Sequence, residues 1–171
     1  KTVLLESLKP LAIARGWLWA GADPSESASV SEEKMALRLL TDLSVVTSTA
    51  VVEIQERRAI GFAGRQEQFV QTLDYPTLVA IYESTPGLVE DKLKRVLDLA
   101  WNILAQHKTR GVIFAYDEAQ NLSDHAEKEQ YPLSILLDVF QSIEKKGIPF
   151  MLVLSGLPTL FPKLVEARTF A

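Results

Sequence analysis

Residues 111–121 read Gly111-Val112-Ile113-Phe114-Ala115-Tyr116-Asp117-Glu118-Ala119-Gln120-Asn121. A glycine opens five apolar residues, and two carboxylates follow at once. A short apolar run of this kind is the pattern of a strand buried on both faces, as in parallel sheets. Acids at the carboxyl end of such a strand stand where open α/β sheets bind their ligands. Asp also favours turns and helix starts, so the same residues fit a plain strand end. The flanking sequence decides what weight each reading carries.

Downstream, a polar loop at 119–131 gives way to a helix beginning at Pro132, with Leu133, Leu136, Leu137, Phe140 and Ile143 inward. Lys145-Lys146-Gly147 closes it, and 148–154 is a further buried strand ending in Ser155-Gly156. Pro158 opens a last helix carrying Leu160, Phe161, Leu164 and Val165. Upstream, Leu93, Val96, Leu97, Ala100 and Leu104 mark an amphipathic helix with His107, Lys108 and Arg110 at its carboxyl end.

The chain opens with a helix over 1–14, bearing Val3, Leu4, Leu8, Leu11 and Ala12 on one side. Pro10 is expected to kink or end it. Residues 17–20 form another apolar strand, and 25–31 a serine-rich loop. Ser29 with Glu32 reads as a capping box, starting a helix whose stripe runs through Ala36, Leu40, Leu43 and Thr47 towards Ile54. Residues 45–90 read as an inserted helical segment with little pattern. Within it, Glu56-Arg57-Arg58 and 61–65 suggest a charged turn, and Gly61 and Gly64 lack the Gly-Lys-Ser/Thr of a phosphate loop. Helices alternating with strands near 17, 112 and 148 imply right-handed βαβ units and a mostly parallel sheet covered on both faces, in a single domain over 1–171. There is no internal repeat.

The 171 residues, 47% of them hydrophobic, suit one domain with a real core. Eighteen basic against twenty-two acidic residues, a net charge of -4, argue against a broad nucleic-acid footprint. No cysteine is present, which excludes disulfides and cysteine-based zinc sites. Glu6, Lys9, Pro10 and Arg15 interrupt the apolar amino end too often for a signal peptide, and no stretch reaches the roughly 20 apolar residues of a membrane span. A soluble, cytoplasmic protein without membrane contact is expected. His107 reads as a helix-end cation, His125 as a loop residue, and Trp17, Trp19 and Trp101 as core.

Lys1-Thr2, opening a helix, looks like the end of a phosphate loop, G-x-x-x-x-G-K-[ST]. The order that follows is strand, helix, a strand ending in Asp117-Glu118, and a strand ending in Ser155. This order resembles the AAA+ class of P-loop ATPases. Within that class, DEAQNL at 117–122 and MLVLSGLP at 151–158 look most like the branch of origin-recognition, STAND and transposition or secretion ATPases. The resemblance implies a three-layer α/β/α P-loop NTPase core, with the glycines, the first strand, the last strand and the helical lid lying outside this chain. It implies an ATPase dependent on ATP and Mg2+. Lys1 would contact the β and γ phosphates, Thr2 and Asp117 would hold magnesium, Glu118 would act as general base, and Ser155 would read the γ phosphate. Ser155 fits a plain strand-ending turn with Gly156 equally well. No arginine finger is legible, and Arg168 reads as a surface residue. Without the glycine half of the loop, the 171 residues alone are expected to bind ATP poorly. The resemblance leaves three functions open. One is a hydrolysing module that drives conformational change or assembly, including assembly with its own copies or a protein partner. Another is a nucleotide-gated signalling or scaffolding module with little turnover. The third is a regulator of replication or transposition that meets DNA through appended domains.

Overall fold

The computed structural model describes residues 2–22, 29–48, 51–55 and 68–169, with backbone alone at the ends of these stretches and in 51–55 and 68–71. The charged turn expected at 56–58 and 61–65, and Lys1, lie outside the described residues. The stretch read first forms β4 (Gly111–Tyr116), and every one of its six positions is buried. It runs parallel to β1 (Trp17–Ala22) on one side and β5 (Phe150–Leu154) on the other, giving a three-stranded parallel sheet of order β1-β4-β5. Trp17 sits opposite Gly111, and Val112 opposite Phe150, so the three strands start nearly level. Gly111 permits that start. A Cβ there would lie 2.1 Å from the carbonyl oxygen of Pro149 and 2.6 Å from the Trp17 ring.

Alternation along β4 sends its side chains to two different cores. Val112, Phe114 and Tyr116 enter the larger one, with Phe114 edge-on to Phe140 at 5.2 Å and to Phe150 at 5.8 Å. Ile113 and Ala115 enter a smaller cluster with Leu5, Ala12, Trp17, Trp19 and Val153. The larger core is roofed by α2 (Glu32–Thr47), which lies over β1, and α5 (Pro132–Lys145), which lies over β5. Helix α4 (Val89–Leu104) packs against both, and α3 (Tyr75–Ser84) against α2 and α4. The smaller cluster is covered by α1 (Thr2–Ala14). Helices on both faces of a parallel sheet make a three-layer α/β/α arrangement, as the sequence pattern implied. The stripes expected on α4 and α5 are buried, Leu137 alone being half-exposed. Each fully buried Leu, Val, Ile or Phe among them contributes about 1.5–3 kcal/mol.

Four expectations need correction. Helix α1 is neither ended nor interrupted by Pro10. Its sheet-facing side carries Leu5 and Ala12, seven residues apart and so on one face, and burial of both turns outweighs the one hydrogen bond that proline cannot make. Val3, Leu4, Leu8 and Leu11 face outward. The cap of α2 is Ser31, whose side chain accepts the Lys34 N–H at 3.3 Å, and not Ser29. Helix α2 stops at Thr47, whose hydroxyl turns to the Leu73 carbonyl oxygen at 2.7 Å. Finally, the 45–90 segment is only partly helical. Beside α3 it holds β2 (Val51–Gln55) and β3 (Gln68–Thr72), an antiparallel pair with Val51 opposite Thr72. The β-branched residues Val51, Val52, Ile54, Val70 and Thr72 favour the extended backbone of this pair. Strand β5 begins at Phe150, two residues after the expected start, and α6 (Leu160–Thr169) two residues after Pro158.

Candidate functional site

The parallel ladder does not stop at the last strand residues. Ser155 donates its N–H to the Tyr116 carbonyl oxygen at 2.8 Å, and the Ser155 carbonyl accepts the Ala119 N–H at 2.8 Å. The chain after β5 therefore lies against both sides of the corner formed by Asp117 and Glu118. Asp117 is 5% exposed, and its Oδ1 accepts the Glu118 N–H at 3.0 Å. Glu118 takes a left-handed backbone, φ 49° and ψ 35°. A non-glycine residue rarely holds that conformation, and such residues concentrate where surrounding structure fixes them. The corner turns Glu118 away from the strand direction and leaves it partly exposed. Asp117, Glu118 and Ser155 are thus brought together at the carboxyl edge of the sheet.

Behind the corner lies a closed polar network. The Tyr116 hydroxyl donates to Asp42 Oδ2 at 2.9 Å, and Arg38 Nε donates to the same oxygen at 3.0 Å. Asp42 is 4% exposed and Tyr116 fully buried. Burial, reinforced by the Asp42 charge, pushes the Tyr116 phenol well above its ordinary value. A neutral donor and a guanidinium together satisfy the buried carboxylate, so the end of β4 is pinned to α2 before the acids begin.

The loop beyond the acids is fastened as well. Ser29, buried, accepts the Ser123 N–H at 2.8 Å and donates to the Ser123 carbonyl at 3.1 Å. His125 Nε2 lies 2.8 Å from the Ser29 carbonyl oxygen, and Tyr131 N–H donates to Glu32 Oε1 at 3.1 Å. Asp124 caps α5 from eight residues upstream of Pro132, accepting from the Leu133 and Ser134 N–H groups at 2.8 and 3.1 Å. Sequence spacing had no signal for these long-range caps. It also passed over Gln120, which touches Glu118 and the turn between β5 and α6. The small residue at Gly156 was the available sign. A Cβ there would come within 2.8 Å of Gln120 Oε1.

Of the remaining expected site residues, Lys1 lies outside the described residues, and Thr2 is described as the first backbone position of α1. Helix α1 spans 13 residues, about 20 Å, and the six-residue β1 about the same. Only Arg15 and Gly16 join them, so α1 runs back along the sheet, and its Leu5 packs with Ile113 and Ala115. The amino end of α1, with its unpaired N–H groups, therefore points to the same sheet end as Asp117. Arg168 falls in α6, with its side chain outside the description. Among the described residues no three-ligand cluster of His, Asp and Glu forms. Magnesium, however, needs only one or two carboxylates besides phosphate and water oxygens, and Asp117 beside Glu118 supplies hard oxygen donors of that kind. A concavity of about 740 Å³ lies away from Asp117 and Glu118, at the other end of β5, along Asp138, Phe140, Gln141, Glu144, Phe150 and Met151. Among the described residues no helix is long and apolar enough to cross a membrane. Compared with known proteins, the chain matches no family model, no curated protein and no solved structure.

Proposed function

We propose that this chain belongs to a P-loop ATPase domain of the AAA+ type, binding ATP with Mg2+ at the carboxyl edge of its sheet. One observation supports it above the rest: Asp117, Glu118 and Ser155 share the sheet end towards which the amino end of α1 points. In this reading Lys1 would contact the β and γ phosphates. Thr2 and Asp117 hold magnesium, which supplies charge neutralisation on the phosphate oxygens when bound. Glu118 takes the proton of a water whose oxygen attacks the γ phosphorus, while the bond to the β–γ bridging oxygen breaks and ADP leaves. Ser155 offers its hydroxyl to the γ phosphate. A wet carboxylate on a fixed backbone suits the base, and the more buried Asp117 suits the metal.

The full-length protein tests this directly. Glu118→Gln is expected to keep ATP affinity and to lower turnover by 10²-fold or more, within the range for loss of a general base. Undiminished turnover in that variant refutes the assignment. Single-turnover kinetics on the unmodified protein separates hydrolysis from nucleotide gating. If one bound ATP outlasts the conformational cycle, the gated module is the correct function.

A further inference from the structure

We propose that Gln120 is the positioning residue of the Glu118 carboxylate and ties it to the turn between β5 and α6. The inference rests on the ATPase reading above. The Gln120 side-chain amide has one donor end and one acceptor end. Its Oε1 accepts the Leu157 N–H at 2.9 Å, and its Nε2 donates to Glu118 Oε2. The two partners determine the orientation of the amide, because a backbone N–H can only donate and a carboxylate can only accept. The reversed amide would set donor against donor and acceptor against acceptor.

The rest of Gln120 is held from the same side. Its carbonyl oxygen accepts Lys163 Nζ of α6 at 2.5 Å. Gly156 leaves the space it occupies, since a Cβ there would stand 2.8 Å from Oε1 and 3.1 Å from the Gln120 backbone nitrogen. Glu118 is thereby fixed twice: its backbone by the hydrogen bond to Asp117, and its carboxylate by Gln120. A long, freely rotating carboxylate is a poor base until its rotamers are restricted. Gln120 supplies that restriction from Leu157 and Lys163, so a movement of α6 reaches Glu118 through a single side chain.

Two substitutions in the full-length protein test this, with kcat, KM for ATP, nucleotide affinity and melting temperature as readouts. Gln120→Glu keeps an acceptor for the Leu157 N–H and removes the donor to Glu118, whereas Gln120→Ala removes both. Both are expected to lower kcat by about 10–100-fold, the usual cost of losing a residue that orients a site ligand. KM and affinity should stay within about twofold, and Gln120→Glu should melt like the unmodified protein. Wild-type kcat in Gln120→Glu, or a loss confined to KM and affinity, overturns the positioning role. An unmodified protein that turns over no ATP overturns the ATPase reading instead. The contact itself is then read without nucleotide, from the Gln120 side-chain amide resonances. They should move in Glu118→Ala, and unmoved resonances overturn the pairing.

Discussion

Tyr116 is the last residue of β4, and its hydroxyl is the link between the strand and the Arg38–Asp42 pair of α2. Removing it leaves Asp42 with one partner in place of two. Tyr116→Phe is therefore expected to cost about 1.5–3 kcal/mol at neutral pH, the range for a hydrogen bond to a charged group, measured by denaturant unfolding. The same residue sets an alkaline limit. Its folded phenol titrates well above the ordinary value of 10.0 because of burial and the Asp42 charge. Below pH 10 both states keep the proton and the group adds no pH dependence. Above it the unfolded chain releases the proton while the folded one retains it, so stability falls with rising pH. The slope approaches about 1.4 kcal/mol per pH unit for one group. Tyr82, whose hydroxyl donates to Glu33, adds in the same direction. Tyr116→Phe should flatten the decline above pH 10, and an unchanged decline would place its cause elsewhere.

At the scale of elements, the ends and interruptions of helices carry testable differences. Ser31 caps α2 through the Lys34 N–H, with Glu32 and Glu33 complementing the helix dipole. Ser31→Ala should cost about 1 kcal/mol. Ser29→Ala should cost more, because it leaves the Ser123 N–H and carbonyl without their partner inside a part-buried contact. Equal losses would mean that the Ser29–Ser123 contact stabilises the fold no more than the Ser31 cap does. In α1, Pro10 is exposed and inside the helix. Pro10→Ala restores a backbone donor at no packing cost and should raise stability, by up to about 3 kcal/mol. A lower melting temperature in that variant would show that the proline ring itself contributes to seating Leu5 and Ala12.

Across the whole molecule, the sheet is the shared wall of two unequal cores. Phe114 contributes to the larger one through Phe140 and Phe150, and Trp101 meets Phe150 edge-on at 5.9 Å. The level start of the three strands depends on Gly111 having no side chain. Gly111→Ala would drive a methyl into the Pro149 carbonyl, and backbone cannot yield as a flexible side chain does. The expected loss exceeds about 3 kcal/mol, at the upper end of overpacking costs, and should be read as a drop in melting temperature. A neutral Gly111→Ala would mean that β1 and β5 can slide relative to β4. That sliding would also loosen the contact of Ser155 with Tyr116 and Ala119 at the far end.

The three apolar strands, the stripes of α4 and α5, and the acidic tip at Asp117 and Glu118 were legible in the sequence. Only β4 is buried along its whole length, however, and β5, with Met151 exposed, is not the fully buried strand that its apolar run suggested. The β2–β3 pair was not legible. Short apolar runs carry no period that separates strand from helix, and antiparallel pairing is settled between segments rather than within one. Nor could spacing show that Ser29 serves Ser123, that Asp124 caps α5, or that Gln120 reaches Leu157. Those bonds join residues that only the packed chain brings within hydrogen-bond reach. Composition fixes which surfaces must leave water; where the freed polar groups find partners is decided after the layers have closed.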